Sequence, residues 1–197
     1  LLVLEYRAEC GIDDILLAYP TTSASALKDL VADDRKRAAI TVMVDSVESL
    51  DHLDHLLGAD HPAIRVAIDV DSSLKIGPAH LGVRRSPVHE VGDASVLAKA
   101  IEERKGFELV GVMFYDAQIA GLPDSSAAVR LVKKRSAAEL LERRSKVIAA
   151  INEHAKLEII NAGGRSRVVL NLLNPLIAQL SSSRTRFPLG FVVYAEK

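Results

Sequence analysis

The sequence predicts an α/β fold: a partial (β/α) barrel of the TIM type with parallel strands, lacking the first strands and the last. Three observations predict it. Short apolar runs alternate with longer amphipathic stretches along most of the chain. Each apolar run is followed at once by polar or aromatic residues, namely Tyr19, Asp45, Asp71, Tyr115 with Asp116, and Asn161. In a barrel these would share one rim, the C-terminal face, whereas an open sheet would gather them at a single switch point. Finally, 197 residues hold five such runs, while a full barrel takes about 250 residues and eight strands.

In chain order, Gly11 would close a helix over residues 2–10, and Ile15 to Tyr19 forms the first strand candidate. Thr22 or Ser23 can cap a helix near 24–33. Ile40 to Val44 is β-branched and strand-like, and Ser46 opens a helix to about Leu57. Ile64 to Val70 reads as a strand, and residues 71–92 as a long loop rich in Gly, Pro and His. A helix follows from about Asp93 to Arg104, ended at Gly106, and then a strand from Leu109 to Phe114. Beyond Pro123, a charged helical stretch covers roughly 127–154; Leu157 to Ile160 is the fifth strand, ended by Ala162-Gly163-Gly164. Strands alternating with helices imply parallel pairing, because each crossover must carry a helix. From Arg165 the rhythm dissolves; Phe187 to Tyr194 is one further strand candidate, without a crossover helix before it.

Apolar residues make up 49% and charged residues 26%, an ordinary globular balance. A formal net charge of -1 and the lack of a basic stripe argue against a nucleic-acid partner. The single cysteine, Cys10, excludes an intrachain disulfide and suits a reducing cytoplasm; packing is its default role. The start, Leu1-Leu2-Val3-Leu4-Glu5, has no initiator Met and no signal-peptide or membrane-span character, and reads as a chain entered in its middle.

Four stretches carry a family resemblance: Asp13 to Thr21; Ile40 to Asp51; Ile68-Asp69-Val70-Asp71 through Leu81-Gly82-Val83-Arg84-Arg85-Ser86-Pro87; and Gly111 to Pro123. They resemble the alanine racemase N-terminal domain family of fold-type III pyridoxal-phosphate enzymes, in its amino acid deaminase and D-threonine aldolase-like branch. The likeness spans residues 1 to about 164, the expected incomplete cofactor-binding barrel, and leaves 165–197 as a non-family tail. It implies pyridoxal 5'-phosphate as cofactor, an amino acid substrate, and lyase or deaminase chemistry more than racemisation. It also implies a lysine at the end of the family's first strand that forms the Schiff base. Lys28, Lys36, Lys99, Lys105, Lys133, Lys134, Lys146 and Lys156 read as helix-surface or loop residues and Lys75 lies in the long loop, so none of these matches it. No catalytic residue is therefore assigned, and the chain is expected to be inactive alone.

The resemblance also implies cofactor-binding positions. Tyr115 matches the aromatic or histidine that stacks on the pyridine ring, the alternative being a tyrosine packed under the rim. His80, in His80-Leu81-Gly82, falls where relatives carry an arginine that meets the phenolic oxygen; a solvated loop histidine is the plainer reading. Asn161, Gly163 and Gly164 resemble the glycine-rich turn that offers backbone N–H groups to the phosphate, although a Gly pair after a strand often marks only a turn. That pattern breaks at Arg165-Ser166-Arg167, which suggests a shifted reading frame or a foreign tail.

Other constellations have plainer readings. His52 and His55, beside Asp51 and Asp54, have helical i, i+3 spacing but no third ligand nearby, so a solvated face is expected and no metal site is assigned. Asp69 and Asp71 point the same way off a strand and are expected to hydrogen-bond the rim loops. The run from Lys133 to Lys146, with Glu139 and Arg143 paired i, i+4, is read as a helix face without function. Three readings stand: a fragment of a pyridoxal-phosphate amino acid enzyme, a non-catalytic cofactor- or phosphate-binding module that could self-associate, and a decayed gene product.

Overall fold

The computed structural model describes residues 15–76, 79–81, 84–115 and 127–163. Strands β1 (Ile15–Leu16), β2 (Ile40–Val44), β3 (Ile64–Asp71), β6 (Phe107–Tyr115) and β7 (Ile159–Gly163) form one sheet. Between them lie helices α1 (Ala24–Ala32), α2 (Asp34–Ala39), α3 (Val47–Leu57), α4 (Val91–Glu102) and α5 (Ala127–Asn152). Strands β4 (Leu74–Ile76) and β5 (Ala79–Leu81) make a separate antiparallel pair.

All pairings in the main sheet are parallel, and its spatial order, β1-β2-β3-β6-β7, follows the chain without reversal. A doubly wound sheet reverses direction at a switch point and carries helices on both faces. Here the helices share one face. Val42, Val44, Val66, Ile68, Val112 and Phe114 pack in one core with Leu27, Leu50, Leu97 and Ile151 of α1, α3, α4 and α5. The opposite face gathers Leu16, Ala18, Met43, Ala67 and Met113, with Ile159 against them and no helical residue among those described. Sequential strand order with one-sided helices is the arrangement of a barrel wall, and the sheet curls as a half-barrel.

A bulge sets the local curvature. The register runs Val66 to Leu109 and then Ala67 to Gly111, leaving Val110 as the extra residue of β6. Gly111 then lies between Ala67 and Ile159, where an added Cβ would sit 3.1 Å from the Ile159 Cβ and 3.2 Å from the Ala67 Cβ. Gly111→Val is therefore expected to cost about 2 kcal/mol through overpacking on the inner face. A lowered urea midpoint at unchanged slope checks it, and an unshifted midpoint would show that the strands have room to part.

Several expected boundaries move, each for a local reason. The helix expected near 24–33 is two helices, because Asp33 is extended and its carboxylate accepts from Arg35 N (2.8 Å) and Lys36 N (3.2 Å), capping a second start. Ser23 sits at the N-cap of α1 without a side-chain capping bond, whereas Ser46 and Ser49 close a reciprocal capping box on α3. The first strand pairs only over Ile15–Leu16, extended by one bond from Leu17 N to Thr41 O (2.9 Å). The loop expected over 71–92 contains the β4–β5 hairpin and ends early, since α4 starts at Val91 with Asp93 in its first turn accepting from Glu90 N (2.9 Å). Strand β7 runs through Ala162 and Gly163 rather than ending before them. The helix expected over 2–10, Cys10, Gly164 and the tail strand lie outside the described residues.

Candidate functional site

The C-terminal strand ends form the mouth of the half-barrel. Asp69 and Asp71 lie two apart on β3, so both point off its inner face. Asp71 accepts from Ser73 N (2.9 Å) and Ser73 Oγ (2.8 Å), folding the chain back where it leaves the strand. Asp69 accepts from Arg85 Nε at 2.8 Å. Both carboxylates thus bond rim loops, as the spacing predicted. Arg85 also donates to the Ala18 carbonyl, and its guanidinium lies 4.3 Å from the Tyr19 ring centroid. Ser86 Oγ donates to the Asp69 carbonyl (2.7 Å), and Val88 O receives Asp71 N (2.8 Å), so residues 85–88 stitch back onto β3.

The Asp69 side chain is 1% exposed, and its Oδ1 has no hydrogen-bond partner among the described residues. Burial raises its pKa to about 6, outweighing the opposing pull of Arg85, while Asp45 and Asp71 add to the rise. Burial alone would lower Arg85, but Asp69 and Tyr19 leave it above its ordinary value, so the guanidinium stays charged.

A second cluster supports the mouth from α5. Arg143, 7% exposed, donates to Asp71 O (2.7 Å), His89 O (3.1 Å) and Ser73 O (2.9 Å), while Glu139 holds its Nε at 2.7 Å. His89 is buried beside it, with Nε2 3.0 Å from Ser73 O and Nδ1 2.7 Å from Glu90. The Arg143–Glu139 pair is thus not the functionless helix face expected from spacing: it pins the rim segment 71–73 and the start of α4. Arg144 is buried too, 5.3 Å from the Phe114 ring centroid. A sequence signal existed, because both arginines interrupt the apolar stripe Leu140, Val147, Ile148, Ile151, where charge is costly without partners. Arg85 lies within one of the family-like stretches, but nothing local ties it to Asp69, 16 residues earlier.

The sequence-predicted binding residues fall into two groups. Tyr115 closes β6 and Gly163 closes β7, and the register sets both level with Asp71. Asn161, half-buried, stands one step lower beside Met113, which pairs with Asp69. These positions share one rim. His80 stands apart, in β5 opposite Lys75. Only the backbones of Tyr115, His80 and Gly163 are described, and Gly164 lies outside the described residues. His52 and His55 are exposed on α3, and no metal-ligating cluster occurs among the described residues. No helix among them is long and apolar enough to cross a membrane.

Comparison with solved structures agrees with this geometry. The fold is similar to D-threonine aldolase from Filomicrobium marinum, at 20% identity and TM-score 0.56, over 76% of this chain and 37% of that one. It is similar to alanine racemase from E. faecalis, at 17% identity and TM-score 0.52, over 79% of this chain and 36% of that one. The alanine racemase from Oenococcus oeni gives 14% identity and TM-score 0.52, over 80% and 35%. The chain thus spans well under half the length of these proteins. No curated protein matches the sequence. The family model described as "Alanine racemase, N-terminal domain" matches residues 4–164. With most of the chain matched and a half-barrel whose strand ends share one rim, the protein belongs to the alanine racemase N-terminal domain family.

Proposed function

We propose that residues 1–164 supply part of the pyridoxal-phosphate-binding barrel of an amino acid lyase or deaminase, and that this chain alone is inactive. The family is in general pyridoxal-phosphate dependent, and its members bind amino acid substrates. When bound, the cofactor acts as an electron sink for carbanion chemistry at an amino acid. The observation that carries the reading is the level row Asp71, Tyr115, Gly163 at the mouth. It sets an aromatic residue beside a glycine strand end, which suits a flat ring bearing a phosphate. Tyr115 would orient the ring, and the backbone of Asn161 to Gly164 would approach the phosphate closely. His80 would reach the phenolic oxygen from the hairpin.

Inactivity rests on where the lysines stand. Lys28, Lys36, Lys99, Lys133, Lys134 and Lys146 lie in helices, Lys75 is exposed in β4, Lys105 and Lys156 lie in the connections before β6 and β7, and Lys197 lies outside the described residues. None of the lysines among the described residues ends a strand of the main sheet. The lyase or deaminase assignment rests on the resemblance of Gly111 to Pro123. Residues 165–197, beyond the family match, form a non-family tail. If translating the other two reading frames beyond Gly164 restores no family-like continuation, the frameshift origin of that tail is wrong. Homo-oligomerisation belongs to the same reading, since β1 and β7 each pair on one side only among the described residues, and a cytoplasmic location suits the single cysteine.

Pyridoxal phosphate titrated into the purified chain tests the proposal. Saturable binding that dialysis reverses is expected, with no stoichiometric absorbance band that borohydride reduces. A reducible stoichiometric band would show a tethering amine and overturn inactivity. No binding would overturn the cofactor reading and favour a decayed fragment.

A further inference from the structure

We propose that Asp69 and Arg85 form a proton-operated latch across the mouth: ionised Asp69 holds Arg85 against the end of β1, and protonated Asp69 lets it go. The latch stands independently of any bound cofactor.

Besides its contact with Tyr19, Arg85 is attached at two places along the rim. One is the Asp69 carboxylate of β3, and the other is the carbonyl of Ala18, just past β1. Strand β2 lies between these two in the sheet, so the guanidinium spans it at the rim. Among the described residues, the backbone bonds that hold β1 are otherwise few. Its ladder covers Ile15 and Leu16, with one more bond at Leu17. Tyr19, stacked on Arg85 yet 43% exposed, marks where the strand end meets solvent.

Several charged or titratable groups face Asp69. Asp45 comes from just past β2, Asp71 from β3 itself and Arg85 from the segment after the hairpin, while Tyr19, from the segment after β1, meets Arg85. On the β6 and β7 side the same row offers Met113 and Asn161, which carry no charge. Two further carboxylates thus crowd the one that pairs with Arg85. Burial and the two like charges favour the neutral acid, and Arg85 opposes them, which places the change near pH 6. Once neutral, Asp69 no longer neutralises the guanidinium, and the charge-assisted bond becomes an ordinary one. Arg85 can then turn toward water and take its hold on Ala18 with it.

Hydrogen exchange on the whole chain, read as the protection factor of the Leu17 amide that bonds Thr41 O, tests the latch. Protection should fall about tenfold between about pH 8 and pH 5, the scale of one lost charge-assisted bond. Asp69→Asn, neutral at every pH, should show the low protection throughout, and so should Arg85→Gln. Flat protection in the unaltered chain would overturn the proposal. So would a pH dependence that survives in Asp69→Asn. Should the variants not fold, carboxyl titration of the unaltered chain by NMR decides. The Asp69 midpoint must coincide with the loss of protection, and separate midpoints would refute the latch.

Discussion

Arg143→Met is expected to destabilise the fold by about 4 kcal/mol, the largest loss from any single change at the mouth. The substitution keeps most of the apolar stem but removes every donor. The carbonyls of Asp71, Ser73 and His89 then lose the donor that reaches them from α5. An abandoned buried acceptor costs roughly 1–3 kcal/mol, and three together outweigh the apolar gain. Arg143→Lys should recover only part of the loss, since one ammonium cannot reproduce a planar fork that serves three carbonyls and Glu139 at once. Urea unfolding measures both variants. A loss below about 1 kcal/mol for methionine would mean that water replaces the guanidinium, and that α5 does not hold the rim.

The second large effect depends on pH. Asp69 titrates in the folded protein at about 6, above its ordinary value of 3.8. A raised carboxyl pKa contributes stability below the ordinary value and loses it as pH rises through the folded one. The unaltered chain should therefore lose about 3 kcal/mol between about pH 4 and pH 7 from this group. Arg85→Met removes the cation that makes the ionised form tolerable, so the Asp69 pKa climbs further. At about pH 8 the variant should be less stable by about 3 kcal/mol, because Asp69 must either stay charged unpaired or take up a proton against the solution. At about pH 5 Asp69 is already mostly protonated and Arg85 already released, so little of that loss should remain. Thermal unfolding at the two pH values checks it, and equal losses at both would show that Asp69 is not the coupled group.

The rim positions named from the sequence were those that strand parity can reach. Asp69 and Asp71 point together because β3 alternates, and the strand-end residues share a level because parallel strands stay in step. The hairpin within 71–92 was missed because each of its strands is three residues long, too short for alternation to stand out. Arg143 was misread because a Glu–Arg pair at i, i+4 looks the same on a solvated face as on one that packs over a rim 70 residues away in sequence.

By itself the sequence determined the order of the strands, their parallel pairing and the polar ends of a barrel wall, because those follow from local periodicity and from the helix each crossover requires. Only the tertiary structure decided which charges meet. Arg85 reaches Asp69 and Ala18, and Arg143 reaches three rim carbonyls, through space across loops of different length. The partner of a buried charge depends on which backbone and carboxylate groups converge there after folding, and no spacing along the chain encodes that.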